Sequence, residues 1–260
     1  MKSAYSIAKL TYAWIWSAKV TILKLFIPII LMSIVATYFG EISLTIICAL
    51  AGLYVASTSI VQIHRSIILD TSADQIVVFP KIEKTFFLYL GTWFIIAFIN
   101  QVVESLSTFL LDESGAAIVL YIILTLVFIH VITRAYFIFP IVAVNNKIDF
   151  SFAFSISKNK FWMIFNSFLL MIIPVFLLII FIFFAGILTL GSFGFGFNWI
   201  IPMYVSFYFM MITTINIHYS LLFKELSTNH ENLDSNDPSA KTPENKNPYK
   251  GVFDDSGSSW

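Results

Sequence analysis

Residues 20–65 read VTILKLFIPIILMSIVATYFGEISLTIICALAGLYVASTSIVQIHR. Two apolar runs, each of about 20 residues and so long enough to cross a ~30 Å hydrocarbon layer as a helix, are separated only by Gly40 and Glu41. The second run stops at His64 and Arg65. The pattern predicts a hairpin of two spanning helices, Val20 to Phe39 and Ile42 to Ile63, with Lys19 and Lys24 extending their charged heads to the near interface. A cleaved signal peptide fits badly, because its apolar core would include both lysines and no small-x-small cleavage site follows.

The same reading extends in both directions. Upstream, MKSAYSIAKLTYAWIW (residues 1–16) sets Tyr5, Trp14 and Trp16 beside Lys2 and Lys9, the mixture of an amphipathic N-terminal helix in the headgroup layer. Downstream, Asp70, Ser72, Asp74 and Pro80 mark a polar connection ending in Lys81 and Lys84, and a third span covers Thr85 to Leu110. After the acidic turn Asp112, Glu113, Ser114, Gly115 a fourth span runs from Ala116 to Phe139, where Pro140, lacking a backbone donor, ends or kinks it. FSFAFSIS (150–157) is too short to cross and reads as an interfacial segment leading into a fifth span, Phe161 to about Leu190. The turn GSFGFGF (191–197) precedes a sixth, Asn198 to Phe223. The expected fold is therefore all-α, a polytopic membrane protein with six transmembrane helices in residues 1–224 and a polar, disordered C-terminal tail over 225–260.

Composition agrees: 58% hydrophobic, 17% aromatic, 12% charged and a mean hydropathy of +0.87, against roughly 25% charged residues in soluble domains. Fifteen Lys and Arg balance fifteen Asp and Glu, yet the bases all avoid the gaps after spans one, three and five. Positive residues mark the cytoplasmic side, so both termini are expected in the cytoplasm of a bacterial cell, in its inner (plasma) membrane. A weak echo links the two inner connections, since Arg65 and Arg134 each end an even-numbered span and Pro80 and Pro140 follow them.

Polar side chains at membrane depth are the candidate functional groups, because an unpaired charge there costs at least ~2.5 kcal/mol. Asn100 and Glu104 share a face of span three, and His130 and Arg134 share one of span four. Counting ~1.5 Å per residue puts Glu104 and Arg134 roughly 18 Å apart in depth, too far to pair, whereas Asn100 and His130, at roughly 15 and 21 Å, are near enough in depth to allow a hydrogen bond between neighbouring helices. His64, Arg65, Arg134, Asn166, Asn216 and His218 all lie within about three turns of the inner ends of their helices, a belt in which Arg65 and Arg134, with His64 and His218 beside them, suit a lipid phosphate. No HExxH, GxSxG or Walker motif is present, and His64, His130, His218 and His230 lack metal-ligand spacing, so no enzyme activity, metal or cofactor is expected. Cys48 is the single cysteine, which leaves no disulfide framework within the chain. No nucleic-acid partner is expected.

ASTSIVQIHRSIILD (56–70) and TRAYFIFPIVAVNNKIDFSFAFSISKNKFWMIF (133–165) resemble uncharacterised six-helix bacterial inner-membrane proteins, the YciC-like group and the membrane domain of some glycerophosphodiester phosphodiesterases. In that group an Arg ends helix four, a Pro follows, and a Ser-containing helix leads to an aromatic start of helix five. Arg134, Pro140, Ser155 or Ser157, and Phe161 with Trp162 stand at those positions. The resemblance implies the same topology and carries no catalytic residues, since the phosphodiesterase activity belongs to a soluble domain absent here. The expected role is a non-catalytic lipid-organising or assembly factor whose basic cytoplasmic face meets anionic headgroups, as a homo-oligomer or beside partner membrane proteins. The competing class is a small-solute transporter or channel, which needs a polar cavity reaching mid-membrane.

Overall fold

A computed structural model describes residues 2–39, 41–80, 82–111, 115–192 and 200–236. The helices are α1 (Ala4–Ser17), α2 (Lys19–Phe39), α3 (Ile42–Ile68), α4 (Lys84–Leu111), α5 (Gly115–Ala135), α6 (Ile138–Asn145), α7 (Phe150–Ile156), α8 (Phe161–Ser192) and α9 (Ile200–Asn236), with a single 3-10 turn at Ala73–Gln75. Six stretches are long and apolar enough to cross a membrane: Lys19–Phe39, Ile42–Ile68, Lys84–Ser105, Ile122–Asn145, Phe161–Ile182 and Ile201–Thr228. Leu50, Phe98, Leu126 and Phe181 on four of them are at least 62% exposed. Exposed apolar surface on that scale is a liability in water and the expected lining against lipid.

The packed core gathers at the end of the bundle that carries Arg65, Arg134 and Lys224, here called the basic end. Ile7 of α1, Ile68 of α3, Phe137 and Ile141 around α6, Ile164 of α8 and Phe223 of α9 share one buried cluster. Helices α3 and α9 run side by side in the same direction: Val55 packs with Phe209, and Ile63 with Ile217. Thus the second and sixth spans are direct neighbours.

Several local features depart from the sequence reading. The fourth span breaks before Pro140, at Tyr136 and Phe137, because a proline at 140 cannot bond to the carbonyl of residue 136 and its ring crowds that turn. The chain resumes as α6, whose residues Ile138 to Ala143 are all buried. Asn146, with φ 55°, closes α6 in the left-handed conformation that Asn tolerates. FSFAFSIS forms α7, capped by Asp149 through the Phe152 amide at 2.9 Å. Ala153 and Ile156 of α7 enter the core, so this segment is a packed element.

Helix α1 likewise spends its buried face on protein. Ile7, Ala8 and Thr11 are enclosed while Tyr5 and Trp16 stay exposed. The Lys2 ammonium lies 3.2 Å from Glu225, and the Tyr12 hydroxyl donates to the Met171 carbonyl of α8. Burial pushes that hydroxyl's pKa above its usual range.

The polar connection after α3 stays largely exposed but is tied to the bundle. It doubles back along α3: the Gln62 side chain accepts from the Val77 amide at 2.8 Å and donates to the Val77 carbonyl at 2.7 Å, and the Tyr54 hydroxyl donates to the Pro80 carbonyl. Ile76 and Val78 then pack onto the bundle. The sixth span continues through position 225 to Asn236, with Leu226 in the core. The expected disordered tail from residue 237 onward, and the turns 112–114 and 193–199, lie outside the described residues.

Candidate functional site

Helices α2 and α3 face one another with small residues, Ala36 against Ala49, Gly52 and Ala56, and no large side chain fills the space they leave. The result is a cavity of about 630 Å3 bounded by α2, α3, α4, the α5–α6 corner and α9. Gly52 opens onto it, since a Cβ built there meets no atom within 4 Å. Ile29, Met32, Val205 and Phe209 supply apolar wall. Two hydroxyls in the wall are turned back on their own helix, Ser33 donating to the Ile30 carbonyl at 2.8 Å and Thr37 to the Ser33 carbonyl at 2.7 Å, while Thr45 of α3 reaches the Ala36 carbonyl of α2 at 3.5 Å. Such back-bonding satisfies the hydroxyl and leaves an effectively apolar surface. No Lys, Arg, His, Asp or Glu is among the lining residues.

The polar groups concentrate on one side, at Tyr89 of α4 and Asn216 of α9, with His64 of α3 wholly buried behind them. His64 Nε2 lies 3.1 Å from Asn216 Oδ1, His64 Nδ1 lies 2.6 Å from Ser220 Oγ, and the Tyr89 hydroxyl donates to Asn216 Oδ1 at 2.9 Å. Asn216 Nδ2 donates to the Ile212 carbonyl at 2.8 Å, which turns Oδ1 toward the histidine. A carbonyl oxygen only accepts, so a neutral ring that bonds it carries its proton on Nε2, while the one Ser220 hydroxyl proton lies within reach of both His64 Nδ1 and the Asn216 backbone carbonyl at 2.7 Å. The i, i+4 spacing of Asn216 and Ser220 lets α9 hold the imidazole from two sides.

The other expected residues separate into distinct sets. Arg65 is clasped within the protein: Nε donates to the Ala143 carbonyl at 2.8 Å, one terminal nitrogen pairs with Glu83 at 3.0 Å, and the other donates to the Thr85 hydroxyl at 3.0 Å. Thr85 in turn donates to Asn146. Arg134 donates to Ser157 Oγ at 3.1 Å and to the Phe154 carbonyl at 2.6 Å, with its guanidinium 4.9 Å from the Phe154 ring centroid. Arg65 thus ties α3 to α6 and to the start of α4, and Arg134 ties α5 to α7. His218 sits between Thr11 of α1 at 3.0 Å and Ser167 of α8 at 3.1 Å. The His130 ring packs at a 45° tilt against Phe161, 4.4 Å between centroids, and among the described residues no hydrogen bond joins it to Asn100. Asn100, Glu104 and Asn166 lie on the exposed surface of their helices.

The belt therefore separates into anchoring sets around Arg65, Arg134 and His218, of which that of His218 is buried, one cavity-facing cluster, and Asn166 on the exposed surface. Sequence reasoning identified His64 and Asn216 but passed over Tyr89, Ser220, Thr11, Ser167 and Glu83. Their only signal was the i, i+4 repeat from Asn216 to Ser220 and a Glu and a Thr at the start of the helix after Arg65.

Fold and site together define a multi-pass membrane protein with an intramembrane cavity. No protein-family model matches the chain, no curated protein matches it in sequence, and no solved structure matches its fold.

Proposed function

We propose that this is a non-catalytic lipid-organising protein of a bacterial inner membrane, with both termini cytoplasmic, which admits lipid into the cavity between α2, α3 and α9. The observation that carries the reading is the lining: a hollow of about 630 Å3 in which the Ser33 and Thr37 hydroxyls are back-bonded and whose described lining holds no Lys, Arg, His, Asp or Glu. A volume of that order is ample for a small amphiphile, and an apolar wall at membrane depth has lipid as its natural content. The basic end supplies the second half of the proposal. With Arg65 and Arg134 engaged in the protein, Lys9, Lys19, Lys24, Lys84, Lys147 and Lys158 are among the exposed bases of the described residues that can meet anionic headgroups, each worth about 1 kcal/mol near such a surface. Kinship with the YciC-like group remains part of this proposal, supported by the Arg134 to Ser157 bond, which joins two of the positions that carry the resemblance.

Purification in native lipid discs followed by lipid mass spectrometry tests the reading. Wild-type protein retains a stoichiometric lipid that is expelled by Gly52→Phe, whose ring is set into the hollow from a position where an added Cβ meets no atom within 4 Å. Identical lipid content in the two would refute it. A small-solute transporter is the second reading, favoured by the polar cluster of Tyr89, Asn216 and His64 where the cavity ends. Water at the cavity wall would favour it.

A further inference from the structure

We propose that the cavity binds the head, not merely the chain, of a neutral amphiphile: a long-chain molecule bearing carbonyl or hydroxyl groups and no phosphate, held by Tyr136, Tyr208 and Asn216. This rests on the reading of the cavity as a lipid site and adds which end of the lipid enters and what chemistry that end has.

The argument is an inventory of unspent donors. Asn216 Nδ2 carries two N–H groups and gives one to Ile212, so one remains on a residue that lines the cavity. Tyr136 and Tyr208 also line it, and among the described residues the hydroxyl of neither makes a hydrogen bond. The Phe139 ring packs against both Tyr89 at 4.9 Å and Tyr136 at 5.5 Å, which fixes those two phenols at one corner. A phenol and an amide that face a cavity without partners are positioned to donate to an acceptor brought from outside, and each leaves hydrogen-bonding free energy unrealised until one arrives.

The same inventory excludes a charged head. A phosphate at this depth requires a cation, and the lining has none. The nearest arginine, on α3, has an acceptor for every guanidinium nitrogen. A carbonyl or hydroxyl head needs only the donors present, and Trp93 and Phe139 give a planar or compact head apolar contact. The chain then lies along the Gly52 wall. Quinones, acylglycerols and isoprenoid alcohols share this chemistry.

The test equilibrates the full chain in lipid discs with decylubiquinone, 1-oleoylglycerol, farnesol or dioleoyl phosphatidylglycerol as probe and counts retained adducts by native mass spectrometry. At least one neutral probe is expected to bind one per chain, and the ranking of the three identifies which source of the shared head fits best. Tyr136→Phe and Tyr208→Phe, which remove one hydroxyl and almost no volume, each weaken retention about fivefold with the unfolding midpoint unchanged. Gly52→Phe abolishes it. An adduct removed by Gly52→Phe but formed only with phosphatidylglycerol, or one indifferent to both tyrosine variants, overturns the head assignment while the lipid site stands. No adduct sensitive to Gly52→Phe with any probe overturns both.

Discussion

His64 Nε2 and Asn216 Oδ1, 3.1 Å apart, join the second and sixth spans across 152 positions of sequence. Asn216 Oδ1 also accepts from Tyr89, so one side-chain carbonyl holds three helices in register. Asn216→Leu strands a buried N–H and a buried O–H together and is expected to cost ~3 kcal/mol, read as a fall in unfolding midpoint in lipid discs. Tyr89→Phe alone costs ~1 kcal/mol, and less in the Asn216→Leu background, where of its two partners only His64 Nε2 at 3.3 Å remains. Additive effects of the two changes would contradict the shared-acceptor geometry.

Arg65 makes a second three-element junction, and its geometry separates an anchoring role from a lipid-binding one. Arg65→Lys keeps the charge but loses the planar fork that reaches Ala143, Glu83 and Thr85 together, so destabilisation of ~2–3 kcal/mol is expected. Glu83→Gln costs less than ~1 kcal/mol, since the Glu83 side chain is 56% exposed and solvent screens the pair. Co-purified anionic lipid per folded chain stays constant in Arg65→Gln/Arg134→Gln. Loss of that lipid without loss of stability would return both arginines to the phosphate role.

The Thr11–His218–Ser167 set fixes α1 to α8 and α9. His218→Leu removes both bonds and leaves two hydroxyls buried. Amide hydrogen exchange in residues 4–17 is expected to accelerate about tenfold while exchange in α3 is unchanged. Equal acceleration everywhere would mean that His218 supports the whole fold rather than the docking of α1.

Orientation is tested separately. In a Cys48→Ser background, a membrane-impermeant maleimide added to intact cells is expected to label Glu113→Cys and to spare Ala240→Cys until the cells are lysed. The reverse pattern would place the basic end outside.

The spans were legible because run length and hydropathy are one-dimensional signals, and the hairpin at Gly40 and Glu41 followed from its shortness. What decides the site is helix adjacency, which periodicity does not carry. Depth counting put His64 and Asn216 near the same level, but nothing in either run says that the second span lies against the sixth. Arg65 and Arg134 looked available to lipid because their acceptors are largely backbone carbonyls, Ala143 and Phe154, exposed only where the chain breaks around Pro140 and along α7. The cavity was invisible for the opposite reason: it is made by what Ala36, Ala49 and Gly52 lack.

The central claim is that this hollow belongs to the lipid and not to water. Cys48, the chain's only cysteine, lines the cavity, so a nitroxide attached there samples it without any other change to the protein. Collisional relaxation in lipid discs is expected to show strong access of molecular oxygen and weak access of a water-soluble nickel chelate. Nickel access at Cys48 approaching that of a nitroxide on the aqueous surface would mean a hydrated path and would contradict the account.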